Sequence, residues 1–291
     1  MTRTRDEIAD LEKFSKRIRA KVLEMSHRAK SSHIGSSFSV ADMLAVLYGK
    51  VLRFNPAETN APYRDRFILS KGHACAAMYV ALAEKGFFPK DWLDTYPDEG
   101  SPLPKHITHT VPGVEASTGS LGHGLAIACG MALAGKRGGE SYRVFAMLSD
   151  GECEEGSTWE AGLFAAHHCL DNLVAIVDYN KLQAFGRVKD VVNLDPLGAK
   201  WQAFGWVVRE IDGHNFEQIL GALLDVPFSP GQPSCVIAHT VKGKGVSFME
   251  DQLAWHYNCP DDKQLEQALQ ELGVVFPVPH ISGGGINEQS R

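Results

Sequence analysis

Two strand-like apolar runs are each followed by an oxygen-bearing side chain, and these side chains suit the binding of a hard cation. Asp150 follows the run 142–148, and Asn180 follows the run 173–177. An Asp carboxylate, an Asn carbonyl and a turn carbonyl such as that of Leu182 are ligands of the kind that Mg²⁺ and Ca²⁺ prefer, with phosphate oxygens completing the shell. The sequence therefore offers a candidate site for a metal-bound phosphate.

A parallel βαβ unit would bring these side chains together. Acidic, helix-forming sequence separates the two runs, and runs rich in Val and Ile joined by a crossover helix pair as parallel strands. Ligands bind outside the carboxyl ends of such strands. We therefore expect Asp150 and Asn180, which are 30 residues apart, to face one site. Asp-Gly and Asp-Tyr-Asn are also ordinary turn sequences, and the residues alone leave both interpretations open.

Hydrophobic periodicity predicts the elements around this unit. Helices are predicted over 6–30, 40–51, 74–85, 122–134 and 216–224, and strands over 67–69, 206–211 and 234–240. A run of small residues predicts a loop over 31–39. Because no repeat or interior linker interrupts the chain, we expect one domain over 1–276 and a flexible, glycine-rich tail over 277–291.

Composition narrows the class of protein. A chain of 291 residues that is 44% hydrophobic suits one large α/β domain with a substantial core. The net charge of −6, without a long basic run, argues against nucleic acid or an anionic membrane as a partner. The charged amino terminus has no apolar region typical of a signal peptide, and the apolar stretches are too short to span a membrane.

The cysteines indicate the compartment. The chain has six, widely spaced and without a Cys-x-x-Cys pair. This usage is typical of a reducing compartment and argues against a zinc site. We therefore expect a cytoplasmic protein.

Two more segments are candidates for contact with an anion. Gly119, Ser120 and Leu121 precede a predicted helix, and a helix start presents free N–H groups and the positive end of the helix dipole. Lys242 lies in Lys-Gly-Lys-Gly and would place a cation beside a phosphate. An ordinary glycine loop and a solvated lysine are the alternatives that these residues leave open.

Four segments together resemble the amino-terminal half of a transketolase. They are RDRFILSKGHA at 64–74, PGVEASTGSLGHG at 112–124, the Asp-Gly to Asn motif at 150–180, and TVKGKG at 240–245 followed by Trp255-His256. The third resembles the metal and diphosphate motif of thiamine diphosphate enzymes. The family form opens Gly-Asp-Gly and often closes Asn-Asn, whereas this chain has Ser149 and Tyr179 at those outer positions.

The resemblance implies roles for individual residues. His33, His73, His106 and His256 would be catalytic, hydrogen-bonding substrate hydroxyls, moving protons or touching the diphosphate. The implied cofactor-binding residues are Ser36, His73, Gly119, Ser120, Leu121, Gly151, Glu155, Asn180, Lys242 and His256, and the implied metal ligands are Asp150, Asn180 and Leu182. Glu155 would lie at the contact between two cofactor sites. The histidines without such a match are assigned to structure: His109, His123, His167, His168 and His214.

The resemblance also implies a fold, a cofactor and a reaction. The expected fold is the α/β thiamine diphosphate-binding fold, with a mainly parallel central sheet and helices on both faces. The expected cofactors are thiamine diphosphate and Mg²⁺ (or Ca²⁺). The reaction would transfer a two-carbon ketol unit from a ketose (phosphate) donor to an aldose acceptor, with sugar phosphates as substrates.

A partner chain belongs to the same expectation. In transketolases a glutamate facing the aminopyrimidine ring is carried by a second α/β domain, and only 14 residues follow Pro277 here. We therefore expect an amino-terminal subunit of a split transketolase, paired with a C-terminal (pyrimidine-binding) subunit in an α2β2 assembly.

Other functions remain as alternatives. A 1-deoxyxylulose-5-phosphate synthase shares similar Lys-Gly-Lys-Gly and Asp-Gly to Asn patterns, although that family is normally one long chain. The alpha subunit of a 2-oxo-acid dehydrogenase lacks the Ser-Lys-Gly-His-Ala found here. Further alternatives are a transketolase subunit for a specialised sugar and a non-catalytic thiamine diphosphate-binding subunit, and retention of the four histidines argues against the last.

Overall fold

Five parallel strands form the centre of the protein, which we describe over residues 5–274 from a computed structural model. The strands are β1 (Arg66–Leu69), β2 (Val144–Ser149), β3 (Leu173–Tyr179), β4 (Val207–Asp212) and β5 (Ser234–His239). Their order across the sheet is β1-β2-β3-β5-β4, and every neighbouring pair is parallel. The predicted parallel α/β arrangement is confirmed.

Helices connect and cover these strands. They are α1 (Arg5–Ala29), α2 (Ile34–Ser39), α3 (Ala41–Val46), α4 (Cys75–Glu84), α5 (Gly124–Gly138), α6 (Gly156–His167), α7 (Val188–Val191), α8 (Leu197–Ala203), α9 (Phe216–Leu224) and α10 (Asp262–Leu272). A π-helical turn occupies Leu47–Val51, and 3-10 turns occupy Gly72–Ala74, Lys90–Thr95, Gly151–Glu154 and Leu253–His256. Within 5–274, none of the helices is both long and apolar enough to cross a membrane.

Alternating side chains of the sheet build two separate cores. Phe145 and Met147 of β2 pack on the side of α1, α3, α4 and α9, whereas Val144, Ala146 and Leu148 pack on the side of α5, α6 and α8. All seven residues of β3 are buried, as expected for a parallel strand covered on both faces. The sheet is therefore the middle layer between two layers of helices.

The predicted βαβ unit is confirmed. β2 leads through α6 into β3, and the two strands pair in parallel with Ser149 opposite Asp178. The residues that follow both strands therefore emerge at the same edge of the sheet. This register places Asp150 and Asn180 at that edge.

The predicted loop over 31–39 is wrong, because α2 forms there. Ile34 and Phe38 lie one helical turn apart and are both fully buried. Burial of this apolar pair outweighs the weak helix propensity of the Gly and Ser residues between them. His33 precedes the helix in a left-handed conformation, with φ 71°.

The boundaries of the domain stay a prediction. The described residues cover most of the expected domain over 1–276. The expected tail over 277–291 lies outside the described residues.

Candidate functional site

A cavity of about 380 Å³ lies at the carboxyl ends of β1, β2, β3 and β5. Its lining includes every site residue predicted above except Ser120, which is exposed and does not line it: His33, Ser36, His73, His106, Gly119, Leu121, Asp150, Gly151, Glu155, Asn180, Leu182, Lys242 and His256. The lining also includes residues that sequence reasoning missed, namely Lys71, Ser149, Glu154, Gln183, Ala184 and Phe185. The predicted side chains therefore converge on one place.

Four histidines form a cluster on one side of the cavity, the histidine cluster (His33, His73, His106 and His256). The ring centroid of His33 lies 5.3 Å from that of His73, 6.2 Å from that of His106 and 5.1 Å from that of His256. The backbone fixes part of this arrangement, because the N–H of His33 donates to the carbonyl of His256 at 3.0 Å. The left-handed turn before α2 is thus tied directly to the segment that carries His256.

The surroundings of His33, His73 and His256 favour neutral rings. Burial, followed by the charges of His106, Lys242 and Lys71, lowers the pKa of His33 to about 4. Burial and then the charge of Lys242 lower the pKa of His256 to about 3. The pKa of His73 also falls well below its ordinary value, chiefly through burial. These three rings are therefore uncharged near pH 7, and each can donate one hydrogen bond and accept another.

Lys242 brings a buried cation to the cavity. Its side chain is only 1% exposed, and Nζ donates to the carbonyl of Leu182 at 2.8 Å and lies 2.8 Å from Nδ1 of His256. Burial, with the nearby charge of Lys71, lowers its pKa to about 8. A Cβ atom on Gly35 would lie 3.0 Å from Cγ of Lys242, so a glycine there leaves room for the lysine stem. An anion in the cavity would offset the cost of burying this charge.

The two strand-end oxygens are held by the adjoining turn. Asp150 accepts hydrogen bonds from the N–H groups of Gly151 at 2.8 Å and Lys181 at 2.6 Å. The side chain of Asn180 accepts from the N–H of Leu182 at 3.1 Å. Burial, and then the neighbouring Asp178, raises the pKa of Asp150 to about 6. A bound cation would stabilise the charged form of this carboxyl group.

The donor set fits a phosphate-bound cation rather than a metal enclosed by protein. Over residues 5–274, no group of three or more His, Cys, Asp and Glu side chains is placed to hold a metal ion. Asp150, Asn180 and Leu182 can supply three oxygens, two of them uncharged. Since Mg²⁺ takes six oxygen ligands and Ca²⁺ six to eight, the rest of the shell must come from a ligand or water. Phosphate oxygens would meet this need.

A buried ion pair that the sequence did not reveal adjoins the cavity, and its lysine is part of the lining. Lys71 and Asp178 are both 0% exposed and contact each other. Asp178 also accepts hydrogen bonds from Ser39 at 2.7 Å and from Asn180 at 3.0 Å. A lysine in the middle of Ser-Lys-Gly-His carries no signal of its own burial. The sequence pattern places Lys71 just after β1. Its partner Asp178 lies on β3, and the contact between them depends on the order of the strands in the sheet.

The segment over 119–122, which begins and ends with glycine, approaches the histidine cluster closely. Gly119 has φ +150°, and a Cβ atom there would lie 2.9 Å from Cδ2 of His106. Glu152, which is fully buried, accepts from the N–H of Gly122 at 2.9 Å and from the hydroxyl of Ser70. This carboxylate ties the segment to the ends of β1 and β2. The segment therefore has a fixed position at the rim of the cavity.

Comparison with known proteins agrees with this geometry. Residues 11–281 match the family described as "Transketolase, thiamine diphosphate binding domain". The transketolase from Leishmania mexicana has the same fold, with a TM-score of 0.85 and 29% identity, over 91% of this chain. This chain spans 41% of the length of that solved chain.

Relatives of similar length also carry the transketolase name. One is named as a subunit of an apulose-4-phosphate transketolase from Actinobacillus succinogenes, 43% identical over 90% of this chain and 96% of the relative. Another is named as a subunit of a 6-deoxy-6-sulfo-D-fructose transketolase from a Clostridium species, 41% identical over 90% and 96% of the two chains. By these matches the chain belongs to the transketolases, an enzyme family, and carries their thiamine diphosphate binding domain.

Proposed function

We propose that this chain is the diphosphate-binding subunit of a two-chain transketolase and that the cavity at the carboxyl edge of the sheet holds thiamine diphosphate with a divalent metal ion. The observation that carries the proposal is the convergence of the histidine cluster, the buried Lys242 and two strand-end oxygens on one cavity. When bound, thiamine diphosphate would supply the carbanion chemistry needed to transfer a two-carbon ketol unit. The residues of this chain would bind and orient it.

The diphosphate end of the cofactor would lie against the sheet edge. Asp150, Asn180 and the Leu182 carbonyl would hold Mg²⁺ (or Ca²⁺), and Lys242 would turn from Leu182 to the phosphate charge. The remaining predicted contacts would surround the same group or its thiazolium neighbour: Ser36, His73, Gly119, Ser120, Leu121, Gly151, Glu155 and His256. Support comes from the shared lining of the cavity, while Ser120 would have to make its contact from the exposed side.

The histidine cluster would serve the substrate. His33, His73, His106 and His256 surround the same space, and imidazoles can hold a sugar hydroxyl and accept or return its proton. The proposed substrates are a ketose donor and an aldose acceptor, of which one or both carry phosphate. Two relatives of matching length are named as subunits of an apulose-4-phosphate transketolase and of a 6-deoxy-6-sulfo-D-fructose transketolase. A specialised sugar substrate is therefore part of the proposal.

A separate partner chain would complete the enzyme. Both relatives described above are named as one subunit of a transketolase. We propose a C-terminal subunit that supplies the pyrimidine side of the cofactor site, in an α2β2 assembly and in the cytoplasm. Its absence from a preparation would leave the cofactor held at one end.

The second candidate function is that of a 1-deoxyxylulose-5-phosphate synthase. This chain contains a Lys-Gly-Lys-Gly segment similar to the one in that family.

The test of this proposal is the removal of one carboxylate. Asp150→Asn takes away the only charged protein oxygen proposed for the metal while preserving its shape. We expect the affinity for thiamine diphosphate, titrated calorimetrically with Mg²⁺ in the presence of the partner chain, to fall roughly tenfold or more. The unfolding midpoint should change little by comparison.

The control is Asp171→Asn, which changes a carboxylate that pairs with Lys136 at 2.8 Å and lies outside the cavity lining. It should leave the affinity for thiamine diphosphate unchanged. Equal affinity in wild type and Asp150→Asn would refute the proposed metal site.

A further inference from the structure

His214 lies outside the cavity lining and contacts the backbone just before Lys242. It follows β4, and its Nε2 atom accepts a hydrogen bond from the N–H of Val241 at 2.8 Å. Its Nδ1 atom lies 2.7 Å from Oδ2 of Asp42. We infer that His214 is a positioning residue, which fixes the chain at Val241 and thereby places the Lys242 ammonium in the cavity. The inference rests on the proposed function for the role of Lys242.

Only one state of the ring satisfies both contacts. The N–H of Val241 can only donate, so Nε2 must present its lone pair. Nδ1 must then carry the proton and donate to the carboxylate of Asp42. The neutral ring in this single tautomer matches both neighbours, and the hydrogen bond to Asp42 selects it.

Asp42, on α3, is itself held in place by Arg19 of α1. Arg19 of α1 forms a bidentate pair with this residue of α3, with N–O distances of 2.7 and 2.8 Å. Arg19 also donates to the carbonyl of Phe38 at 3.0 Å. Both charged side chains are about nine-tenths or more buried, and Asp42 is 4% exposed. The anchor for the ring is therefore rigid, and a fork-shaped pair of this kind fixes orientation as well as distance.

The backbone on the other side of Lys242 is held too. The carbonyl of Lys242 accepts from the N–H of Asp251 at 2.9 Å, and the N–H of Gly243 donates to the carbonyl of Gly35 at 3.1 Å. The contact from His214 fixes the preceding residue. Together these bonds bracket Lys242, so that its long side chain starts from a fixed point. A flexible lysine stem gains directional precision only when its base is held.

Two substitutions separate the two contacts of the ring. The side-chain oxygen of His214→Gln can reach the place of Nε2 and still accept from Val241. His214→Asn instead can place its amide nitrogen where Nδ1 lies, so it still donates to Asp42 and loses the acceptor for Val241. If positioning of the Lys242 backbone is the role of His214, then Gln is the better replacement. If partnering Asp42 is its whole role, then Asn is the better one.

Hydrogen exchange of the full chain over 240–245 tests the inference without any ligand. We expect exchange in His214→Asn to be roughly tenfold faster than in wild type, which corresponds to the loss of the hydrogen bond that the Val241 N–H donates to the ring. His214→Gln should remain near wild type. Equal exchange in both variants, or slower exchange in Asn than in Gln, overturns the inference. His27, which pairs with Asp262 at 2.8 Å, provides the control: His27→Asn and His27→Gln should leave this segment unchanged.

Titration with thiamine diphosphate and Mg²⁺, in the presence of the partner chain, tests the consequence for the cavity. The affinity should fall roughly tenfold in His214→Asn and stay near wild type in His214→Gln. The same affinity in both variants overturns the link to Lys242. Should wild type bind no cofactor while the exchange pattern holds, the proposed function fails and the placement of Lys242 by His214 stands.

Discussion

At the scale of single residues, the partly buried imidazole of His33 links the cavity to the stability of the fold. Because the pKa of His33 is about 4 in the folded chain and 6.5 in its ordinary state, the unfolded chain takes up a proton first as the pH falls. The free energy of unfolding therefore falls as the pH drops from 6.5 to about 4, because protonation favours the unfolded chain. At neutral pH His33 is mostly uncharged in both states, and this loss is absent.

His33→Asn should make that pH dependence shallower. Asn cannot be protonated in this range and tolerates the left-handed backbone that His33 adopts. Urea unfolding at pH 7, 5.5 and 4.5 should give a smaller loss of unfolding free energy in the variant than in wild type. A difference in unfolding free energy between the two proteins that is the same at all three pH values would contradict the lowered pKa of His33.

Turnover distinguishes a catalytic histidine cluster from a structural one. In the complex with its partner, His73→Ala should lower ketol transfer by about 10²–10⁴-fold, the usual effect of losing a positioned acid–base group. The matched control is His109→Ala, whose exposed ring contacts Ser117 at 2.9 Å and lies outside the cavity lining. Loss of activity in proportion to loss of folded protein, measured by circular dichroism, would favour a structural role for His73.

Some of these residues could be identified from the sequence and others could not. Asp150 and Asn180 could be placed because each follows an apolar run and parallel strands end at a common edge. The burial of Lys71 depends on the neighbouring strand and cannot be read from its own segment. His214, assigned to structure from the sequence, gains its importance from a contact with Val241, which is distant along the chain.

At the scale of elements, we expect α10 to contribute to the stability of the fold and not to cofactor binding, since none of its residues lines the cavity. Asp261 caps this helix, accepting from the N–H of Gln264 at 2.8 Å, and the side chain of Gln264 accepts in return from the N–H of Asp261 at 3.0 Å. Loss of such a cap costs about 1 kcal/mol. Asp261→Ala should therefore lower the melting temperature by about 2–4 °C, with unchanged affinity for thiamine diphosphate.

The matched control for α10 is Asp261→Asn, which keeps an oxygen able to accept the capping bond. Its melting temperature should stay near that of wild type. A loss of cofactor affinity in Asp261→Ala would indicate that α10 contributes to the cavity, although none of its residues lines it.

Elements were predicted well where periodicity was strong and poorly where burial decided the outcome. The long α1 and the helix over 216–224 follow clear apolar periods, and the structure places α9 at Phe216–Leu224. α2 escaped prediction because two buried side chains, Ile34 and Phe38, stabilise it against its composition. Such short helices depend on tertiary contacts rather than on their own propensity.

At the scale of the whole molecule, the proposed two-chain enzyme predicts activity that depends on mixing. The purified chain should bind thiamine diphosphate weakly and transfer no ketol units, because its cavity would contact only one end of the cofactor. Phe185, which lines the cavity, is 84% exposed, so its ring is available for contact with a partner chain.

Addition of a pyrimidine-domain chain should produce an α2β2 complex, measured by light scattering, together with ketol transfer from a ketose phosphate. The control is the complex assembled from Asp150→Asn, which should form the same assembly with weakened cofactor binding. Ordinary enzymatic rates from the chain alone would contradict the two-chain proposal.

The neutral rings of His33, His73 and His256 give the cavity a surface that recognises ligands through hydrogen bonds rather than through charge. Each uncharged imidazole has one N–H and one lone pair. Nδ1 of His256 accepts from Lys242, whereas exchange of the tautomer of His33 or His73 reverses donor and acceptor without creating an ion. Such a surface can meet hydroxyl groups in either hydrogen-bonding sense. The cation of Lys242 lies beside His256 and is proposed to hold the diphosphate, so the hydroxyl groups of a polyol would be recognised by neutral groups that can both donate and accept.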